Sequence, residues 1–287
     1  MQMIPKVILC LALLLTLLIA PVQANDTVTL ITNNKFSSTK TFKFLPVDRK
    51  DLQLQLSNCP DIFSPVTRNI GRQAMENVLI CHALRASGKY KKIQYVLSGN
   101  TDRQKLDLMN GKADILGQTT FKNSLERSKY FSADNFIVSQ AVIKKEQLSW
   151  HAYTTKNQMA FVTEAIASNK FSDLIGVGML SWHSSVKTLD SLGLKSVKKI
   201  TDPDNLYTIL QRKRAHITLS SNSKGTISRG GPLYRVPGFS IDPPYGRHFV
   251  FHKDKSDLAI AVDNYLTDMR NNNDQITQAF RHADALN

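Results

Sequence analysis

Short apolar runs alternate with amphipathic stretches along most of this chain of 287 residues, and this alternation constrains the fold more than any other feature. The apolar runs have the length of strands, whereas the longer stretches repeat their apolar residues at steps of three and four, which is typical of helices. Strands that alternate with helices at this spacing predict an α/β fold with mixed, mostly parallel sheets built from βαβ units. The predicted strands cover 28–32, 41–47, 93–97, 113–116, 136–143, 175–179, 197–200, 216–219 and 248–252, and the predicted helices cover 69–86, 101–109, 184–192, 203–214, 256–270 and 274–282.

The alternation occurs in two runs, near 41–143 and 171–220, which predicts two α/β lobes. The last two predicted helices have no strands of their own, so we expect them to return and cover the first lobe. We therefore assign residues 25–145 together with 248–287 to lobe 1, and residues 146–247 to an inserted lobe 2. The alternative is two sequential domains joined by a single linker near Lys145.

Residues 1–24 have the pattern of a secretory signal peptide. Lys6 precedes an almost unbroken apolar stretch, and Val22 and Ala24 place small residues just before a cleavage site after Ala24. The alternative is an uncleaved membrane anchor, although the apolar stretch is shorter than the roughly 20 residues that a spanning helix needs. We therefore expect an exported, soluble protein in an oxidising compartment such as a bacterial periplasm.

Two cysteines lie outside this leader, Cys59 and Cys81. In an oxidising compartment they can form one disulfide that closes a loop of about 20 residues. The alternative is that Cys81, within an apolar helical stretch, is a buried small side chain. Because no CxxC motif occurs, the sequence argues against thiol redox chemistry and cysteine-rich metal sites.

Several short motifs follow one another in a characteristic order. The segment 106–115 reads LDLMNGKADI, a leucine-rich helix end, a glycine turn, then alanine and aspartate before a strand. The other motifs are Glu126-Arg127 with Phe131-Ser132, Thr188-Leu189 with Leu192-Gly193, and the segment 210–215. This order resembles the type II periplasmic solute-binding proteins, in particular the branch that binds amino acids and other polar solutes, from about Gln73 to the C-terminus.

The resemblance implies two lobes whose cleft closes on a small polar solute, which is then delivered to an ABC-type membrane permease. It also allows an alternative on the same fold, a sensory or accessory module that signals to a membrane partner. It implies no catalytic residues and no cofactor. Two departures point away from an α-amino acid ligand: the segment 45–48 lacks the family's aromatic residue, and the segment 215–221 lacks a carboxylate for an ammonium group.

Polar residues stand where a cleft would need them, at strand ends and helix starts. Gln118, Thr119 and Thr120 follow a predicted strand, and Trp182, Ser184 and Ser185 lie between a strand and a helix start. Arg127, at the position of the family's carboxylate-clamping arginine, is the predicted anion ligand. The alternatives are that the hydroxyls are helix caps, Trp182 is a packed aromatic and Arg127 is a solvated surface residue.

Other functions find less support in the residues. Ser184-Ser185-Val186-Lys187 matches an SxxK motif and Ser220-Ser221-Asn222 is close to an SDN motif, but the segment between them is too short for the helical domain of serine acyl-transfer enzymes. The seven histidines, including His248 and His252 in a predicted extended segment, show no metal-ligand pattern. We predict neither an enzyme nor a metal site.

The net charge of +14 favours anionic partners without specifying them. Nucleic-acid binding lacks any reader motif and would be unusual for an exported chain. We therefore expect a monomer that binds a small, anionic solute.

Overall fold

The computed structural model describes residues 26–33, 45–48, 50–125, 133–202, 204–221 and 224–286. Three sequence predictions fall on residues outside these ranges: the leader 1–24, most of the strand 41–47, and Arg127. The described residues 45–48 contain one isolated bridge, Asp48 to Gln53, rather than a strand.

One sheet has seven described strands in the order β2-β3-β1-β4-β13-β5, with β6 paired to β13. Its centre is parallel, because β1 pairs with β3 over Thr27–Asn33 and with β4 at Leu30 and Ile31. The last strand, β13, enters this sheet antiparallel to β4, β5 and β6. The bounds are β1 Thr27–Asn33, β2 Gln53–Gln55, β3 Lys92–Ser98, β4 Ile115–Leu116, β5 Thr120–Phe121, β6 Phe136–Ile143 and β13 Arg247–His252.

The chain between β6 and β13 forms two further sheets among the described residues. A four-stranded antiparallel sheet has the order β10-β7-β12-β11, and β8 pairs with β9 in parallel. A bridge between Gly176 and Ile217 links β8 to the residue preceding β10. The bounds are β7 His151–Thr154, β8 Ile175–Met179, β9 Ser196–Ile200, β10 Thr218–Ser220, β11 Thr226–Ser228 and β12 Pro232–Arg235.

The described helices are α1 Arg72–Ser87, α2 Thr101–Met109, α3 Met159–Ala167, α4 His183–Ser191, α5 Asn205–Gln211, α6 Ser256–Asn271 and α7 Gln275–His282. Helix α1 is buried along most of its length and ends at Gly88, whose φ of 66° an L side chain rarely adopts. Helix α6 packs against α1 and β6. None of the described helices is long and apolar enough to span a membrane.

The predicted α/β class with mixed sheets is confirmed, but parallel pairing is less extensive than predicted. Only the pairs β1–β3, β1–β4 and β8–β9 are parallel among the described strands. The alternation signal missed β2, β5, β7, β11 and β12, which are short and find their partners far away in the sequence or across a tight turn. These five strands all pair with antiparallel neighbours, which the prediction of mostly parallel sheets did not include.

Two helices begin at least two residues later than predicted. Helix α1 begins at Arg72 rather than at 69. Helix α5 begins at Asn205 after the N-cap Asp204, later than the predicted start at 203, and it ends at Gln211 rather than at 214.

Cys59 and Cys81 are joined by a disulfide with their Cα atoms 5.8 Å apart. The bond ties the loop after β2 to the middle of α1. Cys81 is at the same time fully buried in the core.

Candidate functional site

A cavity of about 300 Å³ lies between the seven-stranded sheet and the strands and helices that follow β6. One wall contains the first residues of α1 and α2, the segment 118–121 and Arg247 at the start of β13. The opposite wall contains the segment 181–185 at the start of α4, the end of β10 and Arg229 after β11. Both polar loops predicted from the sequence therefore face one cavity.

Six of the seven predicted ligand residues line this cavity: Gln118, Thr119, Thr120, Trp182, Ser184 and Ser185. The seventh, Arg127, lies outside the described residues. At least four of the six are already engaged in the fold, and Thr119 is one of them, since its N–H donates to Glu76. Gln118 donates to the Gln104 Oε1 at 3.3 Å, and the Ser185 hydroxyl donates to the Trp182 carbonyl at 3.0 Å. Thr120 is a buried residue of β5 that pairs with His248.

The start of α4 presents unpartnered donors to the cavity. Helix α4 begins at His183, and its N-cap Trp182 makes no side-chain cap, so the first N–H groups of the helix have no partner within the helix. Ser184 in this first turn is 4% exposed, and its hydroxyl has no hydrogen-bond partner in the described part of the chain. The same holds for the indole N–H of the cavity residue Trp150. These groups suit a ligand rich in acceptors and negative charge.

A cluster of two arginines around one carboxylate forms the end of the cavity beside the seven-stranded sheet. Glu76 is fully buried and accepts hydrogen bonds from Arg72 Nη1 at 2.5 Å and from the Thr119 N–H at 3.1 Å. The Thr119 hydroxyl also donates to Glu76, and it accepts from Arg247 Nε at 2.9 Å. Arg247 lies over the Phe121 ring, with its Cζ 4.7 Å from the centroid. The cluster is therefore rigidly connected and carries one uncompensated positive charge.

A second arginine is stacked on an aromatic ring in the opposite wall. The Arg229 Cζ lies 5.3 Å from the centroid of the Trp182 ring. Trp182 is partly exposed and packs against the core cluster around Val177, so it is a packed aromatic residue that also supports a cation.

Lys105 on α2 is the fourth basic residue in the wall. Its ammonium donates to the Ser124 carbonyl at 2.9 Å and lies 3.8 Å from Asp102 Oδ1. Asp102 in turn lies 3.4 Å from His183 Nε2, across the cavity rim. The charge of Lys105 is therefore largely balanced.

No Asp or Glu is found among the described residues that line the cavity, whereas Arg72, Lys105, Arg229 and Arg247 do line it. Burial lowers the pKa of Arg247 to about 9, with a further decrease from Arg72 and an opposing effect of Glu76. Burial also lowers the pKa values of Lys105 and Arg229. Arg247 therefore remains cationic near neutral pH, and a bound anion would relieve the unfavourable burial of these charges.

Sequence reasoning did not identify these four cations as site residues. The two arginines of the cluster around Glu76 come from the first residue of a helix and the first residue of a strand, positions at which a basic side chain is usually solvated. The usable signal was their placement, since Arg247 directly precedes the predicted strand 248–252 and Arg72 lies in the first turn of the predicted helix 69–86. Within the described ranges no group of His, Cys, Asp and Glu is arranged to hold a metal ion.

Comparisons with known proteins identify the fold. No protein-family model matches the chain, and no curated protein matches it. Solved structures do match. The amino acid ABC transporter substrate-binding protein AbpA of Streptococcus pneumoniae, bound to L-arginine, is similar with a TM-score of 0.53 and 13% identity, covering 90% of this chain and 96% of that one.

Two further solved structures have the same arrangement. The probable amino-acid ABC transporter extracellular-binding protein YtmK of Bacillus subtilis has a TM-score of 0.55 and 15% identity, covering 91% of this chain and 99% of that one. The VFT2 domain of Bordetella pertussis BvgS has a TM-score of 0.56 and 12% identity, covering 90% and 93%. The two-lobed fold of the type II periplasmic solute-binding proteins, expected from the sequence motifs, is therefore confirmed.

Proposed function

We propose, starting from this two-lobed binding-protein fold, that the chain is an exported solute-binding protein that captures a small anionic molecule in the cavity between its lobes. The observation that carries the proposal is the composition of the wall, which has four cations and no carboxylate among its described residues. A buried carboxylate or phosphate is held best by such charged donors. The unpartnered donors of Ser184 and Trp150 add hydrogen bonds that an anion can accept.

The same wall argues against an α-amino acid as the solute. An amino acid brings an ammonium group, which needs a carboxylate or several acceptors when it is buried. The Glu76 carboxylate, which contacts the lining residues Arg72 and Thr119, is fully buried and already accepts hydrogen bonds from both. The positively charged groups of a cationic amino acid such as L-arginine, which the pneumococcal AbpA binds, would meet only like charges among the described lining residues.

Arg127 remains the predicted further anion ligand, together with the loops 118–120 and 182–185. We also propose that residues 1–24 export the chain to the periplasm, that the protein acts as a monomer without a cofactor, and that it is not an enzyme. The solute would be passed to a membrane permease of the ABC type, as for the transporter proteins of the same fold.

We propose that residues 146–247 form lobe 2, inserted between two parts of lobe 1. This division is supported by strand pairing, because β13 joins the sheet of β1 to β6 while β7 to β12 pair among themselves. Cleavage at the exposed residues Lys144 and Tyr245 tests it. After both cuts, the fragment that ends near Lys144 and the fragment that begins near Tyr245 should stay associated. Their separation would support sequential domains instead.

A sensory role on the same fold is the second candidate, and the similarity to the BvgS domain favours it. Cross-linking in intact cells distinguishes the two roles. Capture of a permease subunit supports transport, and capture of a membrane-bound signalling protein supports sensing.

The anion proposal is tested by thermal shift and calorimetry on the purified exported protein at low salt. Succinate and inorganic phosphate should be compared with glucose, L-glutamine and L-arginine. We expect stabilisation by anions only, which declines as ionic strength rises. Stabilisation by glucose or L-arginine without any response to anions would overturn the proposal.

A further inference from the structure

Three of the four basic residues of the cavity fall into two groups that face it from opposite walls. One group, here called the Arg247 pole, consists of Arg247 on β13 and Arg72 at the start of α1. The other, the Arg229 pole, consists of Arg229 with the Trp182 ring beneath it. Each pole has an arginine fixed over an aromatic ring, Arg247 over Phe121 and Arg229 over Trp182. This arrangement holds the flat guanidinium groups in place before any ligand arrives.

The two poles have different charged neighbours. Besides burial, the charges that shift the pKa of Arg247 are those of Arg72 and Glu76. The charge that acts on the pKa of Arg229, besides burial, is that of Asp204, an exposed residue. Lys105 belongs to neither pole. Its ammonium group already donates a hydrogen bond to the Ser124 carbonyl and lies 3.8 Å from Asp102 Oδ1.

The Arg247 pole retains both charge and donors for a ligand. Its two guanidinium groups share the single carboxylate of Glu76, so one positive charge is in excess. The bonds to described residues use Nη1 of Arg72 and the Nε and Nη2 of Arg247. The remaining nitrogens of these two groups have no hydrogen-bond partner in the described ranges, and a guanidinium carries five N–H donors.

We propose that the solute is a dianion with one negative group at each end, held by the Arg247 pole in one wall and the Arg229 pole in the other. This inference rests on the proposed anion-binding function and narrows it to a class, of which linear dicarboxylates are the simplest members. A single carboxylate compensates the charge of one pole only, and the arginine of the other pole still holds a charge whose removal from water is costly. A solute charged at both ends compensates both poles at once, and it contacts both lobes.

Matched pairs of acids test this class. Succinate, glutarate and adipate are compared with butyrate, pentanoate and hexanoate, which have the same chain lengths and one carboxylate fewer. At least one dicarboxylate should bind about tenfold more tightly than its monocarboxylate partner, the minimum expected for one charge-assisted hydrogen-bonded contact. Inorganic phosphate, which places its charge on one centre, should bind more weakly than that dicarboxylate.

Variants at each pole supply the second test. Arg72→Gln removes one charge from the Arg247 pole but leaves Glu76 paired with Thr119 and close to Arg247, at 3.9 Å. Its side chain is 28% exposed, so the change is milder than one at the buried Arg247. Arg229→Gln removes the charge of the other pole. Arg212→Gln, an exposed position just after α5, is the matched control.

Dicarboxylate affinity should fall about tenfold or more in Arg72→Gln and in Arg229→Gln and stay unchanged in Arg212→Gln. The affinity for a monocarboxylate should fall in one of the two pole variants and not in the other. Equal affinity for both members of every acid pair, or loss of dicarboxylate binding at one pole alone, overturns the dianion while leaving anion binding intact. Absence of any anion binding overturns the proposed function together with it.

Discussion

His183 Nε2 lies 3.4 Å from Asp102 Oδ1, and this contact joins the first turn of α4 to the first turn of α2 across the rim of the cavity. The hydrogen bond from His183 is the main reason that the pKa of Asp102 lies below its ordinary value of 3.8. The charge of Lys105 also lowers this pKa, whereas partial burial acts in the opposite direction. The contact is one of the polar links that hold the two walls together.

Replacing His183 should remove the hydrogen bond that lowers the pKa of Asp102. Because the pKa of Asp102 is depressed in the folded protein, its stabilising contribution is fully present above pH 3.8 and is lost as the pH falls through the lowered value. In His183→Gln we expect the pKa of Asp102 to rise toward 3.8, as measured by NMR titration of the carboxyl carbon. His252→Gln, beside Asp254, is the control and should not change it. An unshifted Asp102 in His183→Gln would assign the effect to Lys105 instead.

Gly230 sets the position of Arg229. Its φ is 76°, and a Cβ at this position would lie 2.0 Å from the carbonyl oxygen of Asp204. Gly230→Ala should therefore cost at least about 1–2 kcal/mol of stability from the backbone conformation alone, and it should weaken anion binding because the adjacent Arg229 must shift. Denaturant unfolding and calorimetry measure the two effects.

Gly225, which precedes β11 in the same hairpin, is the matched control. A Cβ there meets no atom within 4 Å and the backbone is not left-handed. Gly225→Ala should leave both stability and affinity close to those of the parent. If Gly230→Ala behaves in the same way, the turn does not position Arg229.

The disulfide should contribute to the stability of lobe 1. Cys59 and Cys81 are 22 residues apart, and closing a loop of that length is worth about 3 kcal/mol in the unfolded-chain model. Reductant should lower the Tm of the parent by several degrees, and it should have no effect on the double variant Cys59→Ala with Cys81→Ala. A parent Tm that is insensitive to reductant under conditions that reduce the bond would contradict this expectation.

The sequence predicted long or strongly bounded elements well and short ones poorly. Strands β6 and β8 and helix α2 have the predicted bounds, because each combines clear periodicity with a start or stop signal. Strand β5 has only two residues and exists because β13, more than a hundred residues later, pairs with it. Local patterns carry no information about such pairing.

The residues of the candidate site also divide into those that the sequence predicted and those that it did not. Loops at predicted strand ends and helix starts were found, because backbone geometry places such loops at the cleft in α/β folds. The sequence did not predict Arg72 and Arg247 as site residues, since these two arginines meet at Glu76 only after the sheet has formed. Glu76, in the second turn of α1, was the residue that sequence reasoning had the means to notice, because a carboxylate is rarely fully buried without a partner.

We expect the Glu76 carboxylate to contribute more to the stability of the free protein than to that of the anion-bound protein. Glu76→Gln leaves Arg72 and Arg247 without their shared counter-charge, and breaking a buried ion pair typically costs about 3–5 kcal/mol. We expect a lower Tm for the free protein but a larger increase in Tm on adding a dianion, because the bound anion then supplies the missing charge. Glu164→Gln on the exposed face of α3 is the control. A loss of anion-induced stabilisation in Glu76→Gln would show that Glu76 is needed to orient the arginines rather than to balance them.

Ser184 provides a test in which stability and binding separate. Its hydroxyl is buried at the start of α4 and has no hydrogen-bond partner within the described residues, so Ser184→Ala removes an unsatisfied polar group and should leave the Tm of the free protein unchanged or slightly higher. A bound anion would accept a hydrogen bond from this hydroxyl, and losing a bond to a charged group should weaken affinity about tenfold or more. Calorimetry with a dicarboxylate measures the affinity, and thermal melts without ligand measure the stability. Ser191→Ala, at the other end of the same helix, removes a hydroxyl that donates to the Thr188 carbonyl at 2.8 Å and should leave affinity unchanged. Equal affinity in the parent and Ser184→Ala would mean that the anion is held by the arginines without the hydroxyl at the helix start.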